Sequence, residues 1–142
     1  MSEAEAVRIA RENVDAWTAG DWDRLRSALA ADVVYDEIGT QRRLVGVNDF
    51  VQSYQAWKQA GPDGKGTVTR AFASGDTVLI EVTWTATQTG PMETPKGPIP
   101  PSGKQWNLRG AQVITVKDGR IKELRQYFDM LTILQQIGAV PQ

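Results

Sequence analysis

The sequence predicts an α+β domain in which a strongly curved sheet of mostly antiparallel strands packs against N-terminal helices laid on its concave face. Three observations carry this. Apolar residues over roughly the first sixty positions recur at helical spacing, whereas from Thr67 onward they alternate with a period of two. Helices first and long strands afterwards is the order of an α+β fold rather than of alternating βαβ units. Lastly, Asp118-Gly119 stands between two runs rich in β-branched and apolar residues, the strongest short-range hairpin signal, because both turn positions must take φ > 0.

In chain order, Val7, Ala10, Val14 and Trp17 mark one face of an amphipathic helix from Ser2 to about Thr18, ended by Ala19-Gly20. Asp21 is a preferred N-cap for a second, shorter helix through Trp22, Leu25 and Leu29. Val33-Val34-Tyr35 reads as a strand and Gly39 to Arg43 as its turn. Asn48 caps a third helix carrying Val51, Tyr54 and either Trp57 or Lys58 on one face and stopped by Gly61-Pro62. Thr67 to Ala73 and Thr77 to Thr89 form a hairpin about Ser74-Gly75-Asp76, with Val78, Ile80, Val82, Trp84 and Ala86 as the apolar face of its second arm. Five prolines between Gly90 and Gly103 rule out strand or helix there and predict a long rim flap. Met130 to Ile137 is a short terminal helix capped by Gly138. No stretch reads as a linker, so residues 1–142 are expected to form one domain.

Composition narrows the chemistry. Without cysteine there is no disulfide, thiolate metal site or thiol nucleophile. Without histidine, Ser-His-Asp catalysis and His-bridged metal sites are removed as well. Acid–base work falls to Asp, Glu, Lys, Tyr or an activated water, and neither metal nor other cofactor is expected. Sixteen basic against seventeen acidic residues, with no basic run, argue against nucleic acid as a partner. The acidic N-terminus lacks the features of a signal peptide and no apolar run approaches ~18 residues, so the expectation is a cytoplasmic protein with no membrane contact.

The closing hairpin carries the main candidate. With Asp118 and Gly119 as a two-residue loop, Ile114 faces Glu123, Gln112 faces Arg125, Gly110 faces Tyr127 and Leu108 faces Asp129. Alternation then puts Trp106, Leu108, Gly110, Gln112, Tyr127 and Asp129 on one side of the sheet, and Arg109, Ala111, Val113, Leu124, Gln126 and Phe128 on the other. A carboxylate between Phe128 and Met130 is an unusual place for a charge, which makes Asp129 the candidate catalytic residue. An apolar pocket would raise its pKa toward the working range, letting it take a proton α to a carbonyl and return it elsewhere. The competing role is N-cap of the terminal helix.

Other candidates surround it. Tyr127 is placed to donate a hydrogen bond to a developing oxyanion, or is simply a half-buried sheet residue. Arg109 belongs to the site, pairs with an acid such as Glu81, or lies at a dimer surface; a bulge near Gly110 would bring it to the face of Asp129. Tyr54, Trp57, Trp84 and Trp106 wall an aromatic pocket for a planar substrate, while Trp17 and Trp22 read as core. Tyr35, Asp36 and Glu37 end the first strand near the cavity mouth, where a second carboxylate would pair with Asp129 or activate a water. Gly61 to Gly66 lacks the spacing of a phosphate loop and is a turn.

Several segments resemble one family: Trp17-Thr18-Ala19-Gly20-Asp21-Trp22, Asp32-Val33-Val34-Tyr35, Trp84 to Pro91, Ile99-Pro100-Pro101-Ser102-Gly103-Lys104, Asp118-Gly119-Arg120-Ile121, and Tyr127-Phe128-Asp129-Met130-Leu131 ending in Leu134-Gln135-Gln136-Ile137-Gly138. In order and spacing they resemble the SnoaL-like polyketide cyclases of the nuclear transport factor 2-like superfamily. The resemblance implies a cone-shaped fold of helices against a curved mixed, mostly antiparallel sheet, the cystatin-like α+β barrel, with a homodimer joined through the outer sheet face and an internal ligand cavity. It also implies that Asp129 stands where an aspartate of the last strand does the acid–base work of an intramolecular aldol closure. Members often carry a histidine where Gln88 stands and another near Asp36; this chain has neither. The expected function is cofactor-free proton transfer on a small hydrophobic or aromatic carbonyl substrate, giving aldol-type cyclisation or isomerisation. The alternatives are an epoxide hydrolase or lyase in the same cavity, and a non-catalytic ligand-binding protein in which Asp129 is only a cap.

Overall fold

The computed structural model describes residues 2–140. Met1, Pro141 and Gln142, part of the one-domain expectation, lie outside the described residues. The elements are α1 (Glu3–Ala19), α2 (Trp22–Ser27), β1 (Leu29–Glu37), a 3-10 turn (Ile38–Thr40), β2 (Arg42–Val45), α3 (Val47–Ala60), β3 (Lys65–Ser74), β4 (Thr77–Thr87), β5 (Gln105–Lys117), β6 (Arg120–Tyr127) and α4 (Met130–Gln136). The strands form one unclosed, curved sheet in the order β2-β1-β6-β5-β4-β3. Every neighbouring pair is antiparallel except β1 and β6, which run parallel.

Local chemistry starts and stops the helices largely as the sequence predicts. Ser2 Oγ accepts from Glu5 N at the start of α1, and Gly20 ends it at φ 68°, a left-handed conformation that glycine adopts without penalty. Asp21 caps α2 by accepting from Arg24 N. The third helix differs: it begins at Val47 behind Gly46, and Asn48 makes no cap. Asn48 Oδ1 instead accepts from Arg26 Nη1, so tertiary contact has taken the side chain away from the backbone.

Two apolar clusters fill the concave side. The larger joins Ala6, Ile9, Ala10, Val14 and Trp17 of α1 and Phe50, Val51 and Tyr54 of α3 to inward residues of the sheet. The smaller joins Ala60, Ala86, Met92, Trp106, Leu108, Ile133 and Ile137. Trp57 and Trp84 pack against both, so the seam between the clusters is aromatic.

The closing hairpin corrects the expected register. Asp118 (φ 53°) and Gly119 (φ 76°) form the predicted turn, and Val116 faces Ile121. The next pair is Thr115 with Glu123, so Lys122 is an extra residue, a bulge. Beyond it Ile114 faces Leu124, Gln112 faces Gln126 and Ala111 faces Tyr127. One inserted residue reverses every later side chain of that strand. Leu124, Gln126 and Phe128 therefore join Trp106, Leu108 and Gln112 inside, while Tyr127 moves outward. The reason is burial: Ile121 and Leu124 are both fully covered, and residues three apart share one face of a strand only across a bulge. No bulge occurs at Gly110, where β4 and β5 pair without a shift. A Cβ there would lie 2.7 Å from the Tyr127 carbonyl oxygen, so the glycine marks a close backbone approach.

Candidate active-site cavity

The aromatic seam encloses a narrow cavity of about 50 Å³. Its walls come from α1 (Trp17), β1 (Tyr35), α3 (Tyr54, Trp57), β4 (Trp84), β5 (Trp106, Leu108), β6 (Gln126) and the start of α4 (Ile133), with Phe128 between the last two. The rings are held edge to face: Trp57 meets Trp106 at 6.1 Å and Phe128 at 5.9 Å, and Trp17 meets Trp84 at 5.2 Å. A wider groove of about 360 Å³ adjoins it, lined by Glu37, Thr40, Gln41, Arg42 and Ala56 on one side and by Met92 to Pro95 of the proline flap on the other. Trp57 lines both spaces. Thus Tyr35, Tyr54, Trp57, Trp84 and Trp106 of the expected site come together.

A buried carboxylate stands at the junction. Glu37 ends β1 pointing inward, and its side chain is fully covered although its residue borders the groove. Oε2 accepts from the Tyr35 hydroxyl at 2.6 Å and the Trp57 indole N–H at 3.0 Å. Oε1 accepts from the Thr40 hydroxyl at 2.6 Å and from Arg42 Nη2 at 3.0 Å. Arg42 Nη2 also donates to Ser53 Oγ. This is the arrangement that makes a buried charge tolerable: an ion pair plus a donor for each remaining lone pair. Burial and the charge of Glu37 hold the Tyr35 hydroxyl well above the ordinary phenol range, so Tyr35 remains a neutral donor. Burial likewise raises Tyr54, although the Gln112 amide beside it acts in the opposite sense.

Behind the Tyr54 and Gln126 walls lies a polar patch that is incompletely paired. The Tyr54 hydroxyl donates to Asn13 Oδ1 at 2.7 Å. Gln112 is fully buried beside that hydroxyl, yet neither its Oε1 nor its Nε2 completes a hydrogen bond. Gln126, its register partner, lines the cavity with a buried and unpaired Oε1. Alternation alone puts Gln112 on the inner face but gives it no role, and puts Gln126 on the wrong one; the signal for Gln126 is the Ile121 and Leu124 spacing that demands the bulge.

The remaining predicted site residues lie elsewhere. Asp129 is exposed and is the N-cap of α4. Its Oδ1 accepts from Leu131 N at 3.0 Å and Thr132 N at 3.4 Å, and its Oδ2 from the Thr132 hydroxyl at 3.0 Å. The carboxylate is thus spent on its own helix, and it neither lines the cavity nor pairs with Glu37. Tyr127 is 41% exposed on the outer face. Arg109 is exposed there too, opposite Thr83, while Glu81 pairs with Arg70 instead. Gln88 is buried and ties down the flap, donating to Ile99 O and Pro100 O and accepting from Ser102 N. Among the described residues no group of three or more carboxylate, histidine or cysteine side chains is placed to hold a metal ion, and no helix is long and apolar enough to cross a membrane.

An open, curved sheet with helices across its concave face and an aromatic cavity at their seam defines a cone-shaped α+β fold built around an internal pocket. The SnoaL-like polyketide cyclase profile matches residues 7–137, and the chain belongs to that family. Solved structures agree in fold. A proposed SnoaL-like polyketide cyclase from Jannaschia sp. CCS1 superposes with a TM-score of 0.86 at 21% identity, covering 98% of this chain and 95% of that one. IdmH from Streptomyces antibioticus, proposed to be a polyketide cyclase, gives 0.79 at 24% identity, covering 94% and 98%. An epoxide hydrolase from M. tuberculosis gives 0.74 at 23% identity, covering 96% and 92%. No curated protein sequence matches the chain.

Proposed function

We propose that this protein is a small-molecule enzyme of the cyclase or isomerase type, moving a proton on an apolar carbonyl compound held in the aromatic cavity, with Glu37 as the acid–base group. The observation that carries this is the placement of the Glu37 carboxylate, whose Oε2 is bonded to the side chains of two cavity walls, Tyr35 and Trp57. Rotation of the Trp57 indole away from Glu37 would join groove and cavity and bring Oε2 to the substrate. Oε2 then takes the proton from the carbon α to the carbonyl, and the freed Tyr35 and Trp57 donors steady the enolate oxygen. The enolate either closes on a second carbonyl, whose new alkoxide takes the proton back from Glu37, or is reprotonated at another carbon by Glu37. Asp129 acts by position: its cap fixes the first turn of α4, which carries Ile133 into the cavity beside Phe128. A second copy of the chain is the proposed partner, docking on the outer sheet face, where Phe72, Leu79 and Tyr127 are exposed.

The test is exchange of α-protons into deuterated water for a panel of aryl, cyclic and steroid-like ketones, followed by NMR. The wild type is expected to accelerate exchange for at least one ketone. Glu37→Gln, folded by circular dichroism, is expected to lower that rate ~100-fold or more, the usual weight of a general base, while Asp129→Asn stays within a few fold. Loss of exchange in Asp129→Asn with Glu37→Gln unaffected would return the acid–base role to Asp129. A second reading, a non-catalytic binding protein, is favoured by the complete use of the Asp129 carboxylate as a cap. Tight ligand binding with no exchange on any ketone would select it.

A further inference from the structure

The two spaces of the site differ in what they can hold. The aromatic cavity, at about 50 Å³, lies far below the ~300 Å³ at which ligand pockets begin, whereas the adjoining groove, at about 360 Å³, is of ligand size before any side chain moves. The groove is therefore where a ligand first finds room, and the side chains along it set what that ligand is. Several of its polar groups are already in use: Glu37 accepts from its four donors, the Thr40 hydroxyl is one of them, and Gln41 Nε2 donates to Ile38 O. Two charged groups keep free capacity. Arg42 uses Nη2 on Glu37 Oε1 and Ser53 Oγ, while its Nε and Nη1 donors have no acceptor among the described residues, and the side chain is partly exposed along the groove. Glu93, on the flap side, is exposed and without a partner among the described residues. The walls between them are largely apolar, made by Ala56, Trp57, Met92 and Pro95.

A carboxylate fits the Arg42 donors. Both its oxygens accept, and its charge-assisted bonds to a guanidinium are about twice as strong as those of a neutral amide or ester. Glu93 limits what else the ligand carries, because a phosphate or a second carboxylate would set more negative charge opposite it with only apolar wall between. We infer that the groove binds a monocarboxylate with an apolar body: the carboxylate accepts from Nε and Nη1 of Arg42, the body lies along Trp57 and Met92, and Glu93 turns away a second negative charge. Arg42 also holds Glu37 Oε1, so an acid anchored there has its chain beside the proposed base, and the carbonyl substrate carries the carboxylate as its handle. The inference rests on the reading of groove and cavity as one substrate site, but binding alone tests it and no turnover is needed.

The experiment is NMR titration of the full chain at neutral pH with 4-phenylbutyrate, its neutral amide 4-phenylbutyramide, and the dianion phenylsuccinate, for the wild type, Arg42→Gln and Glu93→Gln. The wild type is expected to bind 4-phenylbutyrate roughly tenfold or more tightly than the amide, the scale of a hydrogen bond to a charged group, and also more tightly than phenylsuccinate. Arg42→Gln is expected to lose the preference for the acid over the amide. Glu93→Gln is expected to strengthen phenylsuccinate while 4-phenylbutyrate changes little. Failure of 4-phenylbutyrate to bind, equal affinity for acid and amide in the wild type, or an undiminished preference in folded Arg42→Gln overturns the inference. So does phenylsuccinate bound as tightly as 4-phenylbutyrate. If Arg42→Gln does not fold, a structure of the wild-type complex decides: the carboxylate against Arg42 supports the inference, and the carboxylate elsewhere overturns it. Preference for the acid without ketone exchange would sink the catalytic reading and leave this one standing; exchange without that preference would do the reverse.

Discussion

Two carboxylates stand near the ends of adjacent parallel strands, and the protein treats them in opposite ways. Glu37, paired in register with Gln126, points inward, is fully covered, and accepts from four side chains on four different residues. Asp129, just beyond β6, is exposed and, among the described residues, bonded only to the first turn of its own helix. Both are satisfied, but by different means. The Asp129 bonds are local and would form in almost any helix start. Those of Glu37 join β1, the 3-10 turn, β2 and α3, so they exist only when the sheet and the third helix have assembled. A carboxylate whose surroundings are built by the whole fold is the better candidate for chemistry than one whose surroundings are built by three residues.

That contrast can be broken or sharpened by measurement. Glu37→Ala strips the partner from Arg42 and from three further donors, Tyr35, Thr40 and Trp57, and is expected to cost on the order of 3 kcal/mol, discounted because Arg42 is partly exposed; a urea unfolding curve that moves by less than 1 kcal/mol would undo the contrast. Alkaline pH acts on the same cluster. Tyr35 and Tyr54 have folded pKa values raised above the ordinary 10, so their contribution to stability is complete below pH 10 and is lost as pH rises beyond it. The expected slope is about 1.4 kcal/mol per pH unit for each tyrosine, and Tyr35→Phe should flatten it in denaturation series between pH 9 and 12.

Trp57→Phe keeps a ring in the wall and deletes one donor to Glu37. Its expected stability cost is about 1.5 kcal/mol, typical of a hydrogen bond to a charged group, read from the shift in thermal midpoint. Asp129→Ala is expected to cost about 1 kcal/mol, the ordinary value of a lost N-cap, with ketone exchange retained; a larger loss would mean that this carboxylate does more than cap. Arg109→Ala, on the exposed outer face without an ion pair among the described residues, should change stability by no more than about 0.5 kcal/mol. A shift in sedimentation for Arg109→Ala or for Phe72→Glu would show instead that a second copy covers this face.

Much of the fold was legible in the residues themselves. Helix periodicity, the cap at Asp21, the end at Gly20, the turn at Asp118-Gly119 and the proline flap each rest on interactions within a few positions. The aromatic wall was legible for the same reason: Tyr54 and Trp57 on α3, and Trp84 and Trp106 on alternating strands, have their directions set by local periodicity. Asn48 shows the limit, since a contact with Arg26 from another helix overrode its capping preference.

What the sequence by itself determined, then, is the class of fold, the elements and the apolar character of the cavity, because these follow from short-range backbone preference and the alternation of side chains. What only the tertiary structure decided is which polar groups face that cavity. The bulge at Lys122 arises from the need to bury both Ile121 and Leu124, and it exchanged Tyr127 for Gln126 in the cavity wall. The parallel pairing of β1 with β6 brought Glu37 beside that strand, and α3 then covered it with Trp57 and Ser53. The second event couples Glu37 with a strand about ninety positions away, a distance over which no local pattern carries information; the first is hinted at by the Ile121 and Leu124 spacing, but only the packing of the assembled core selects it.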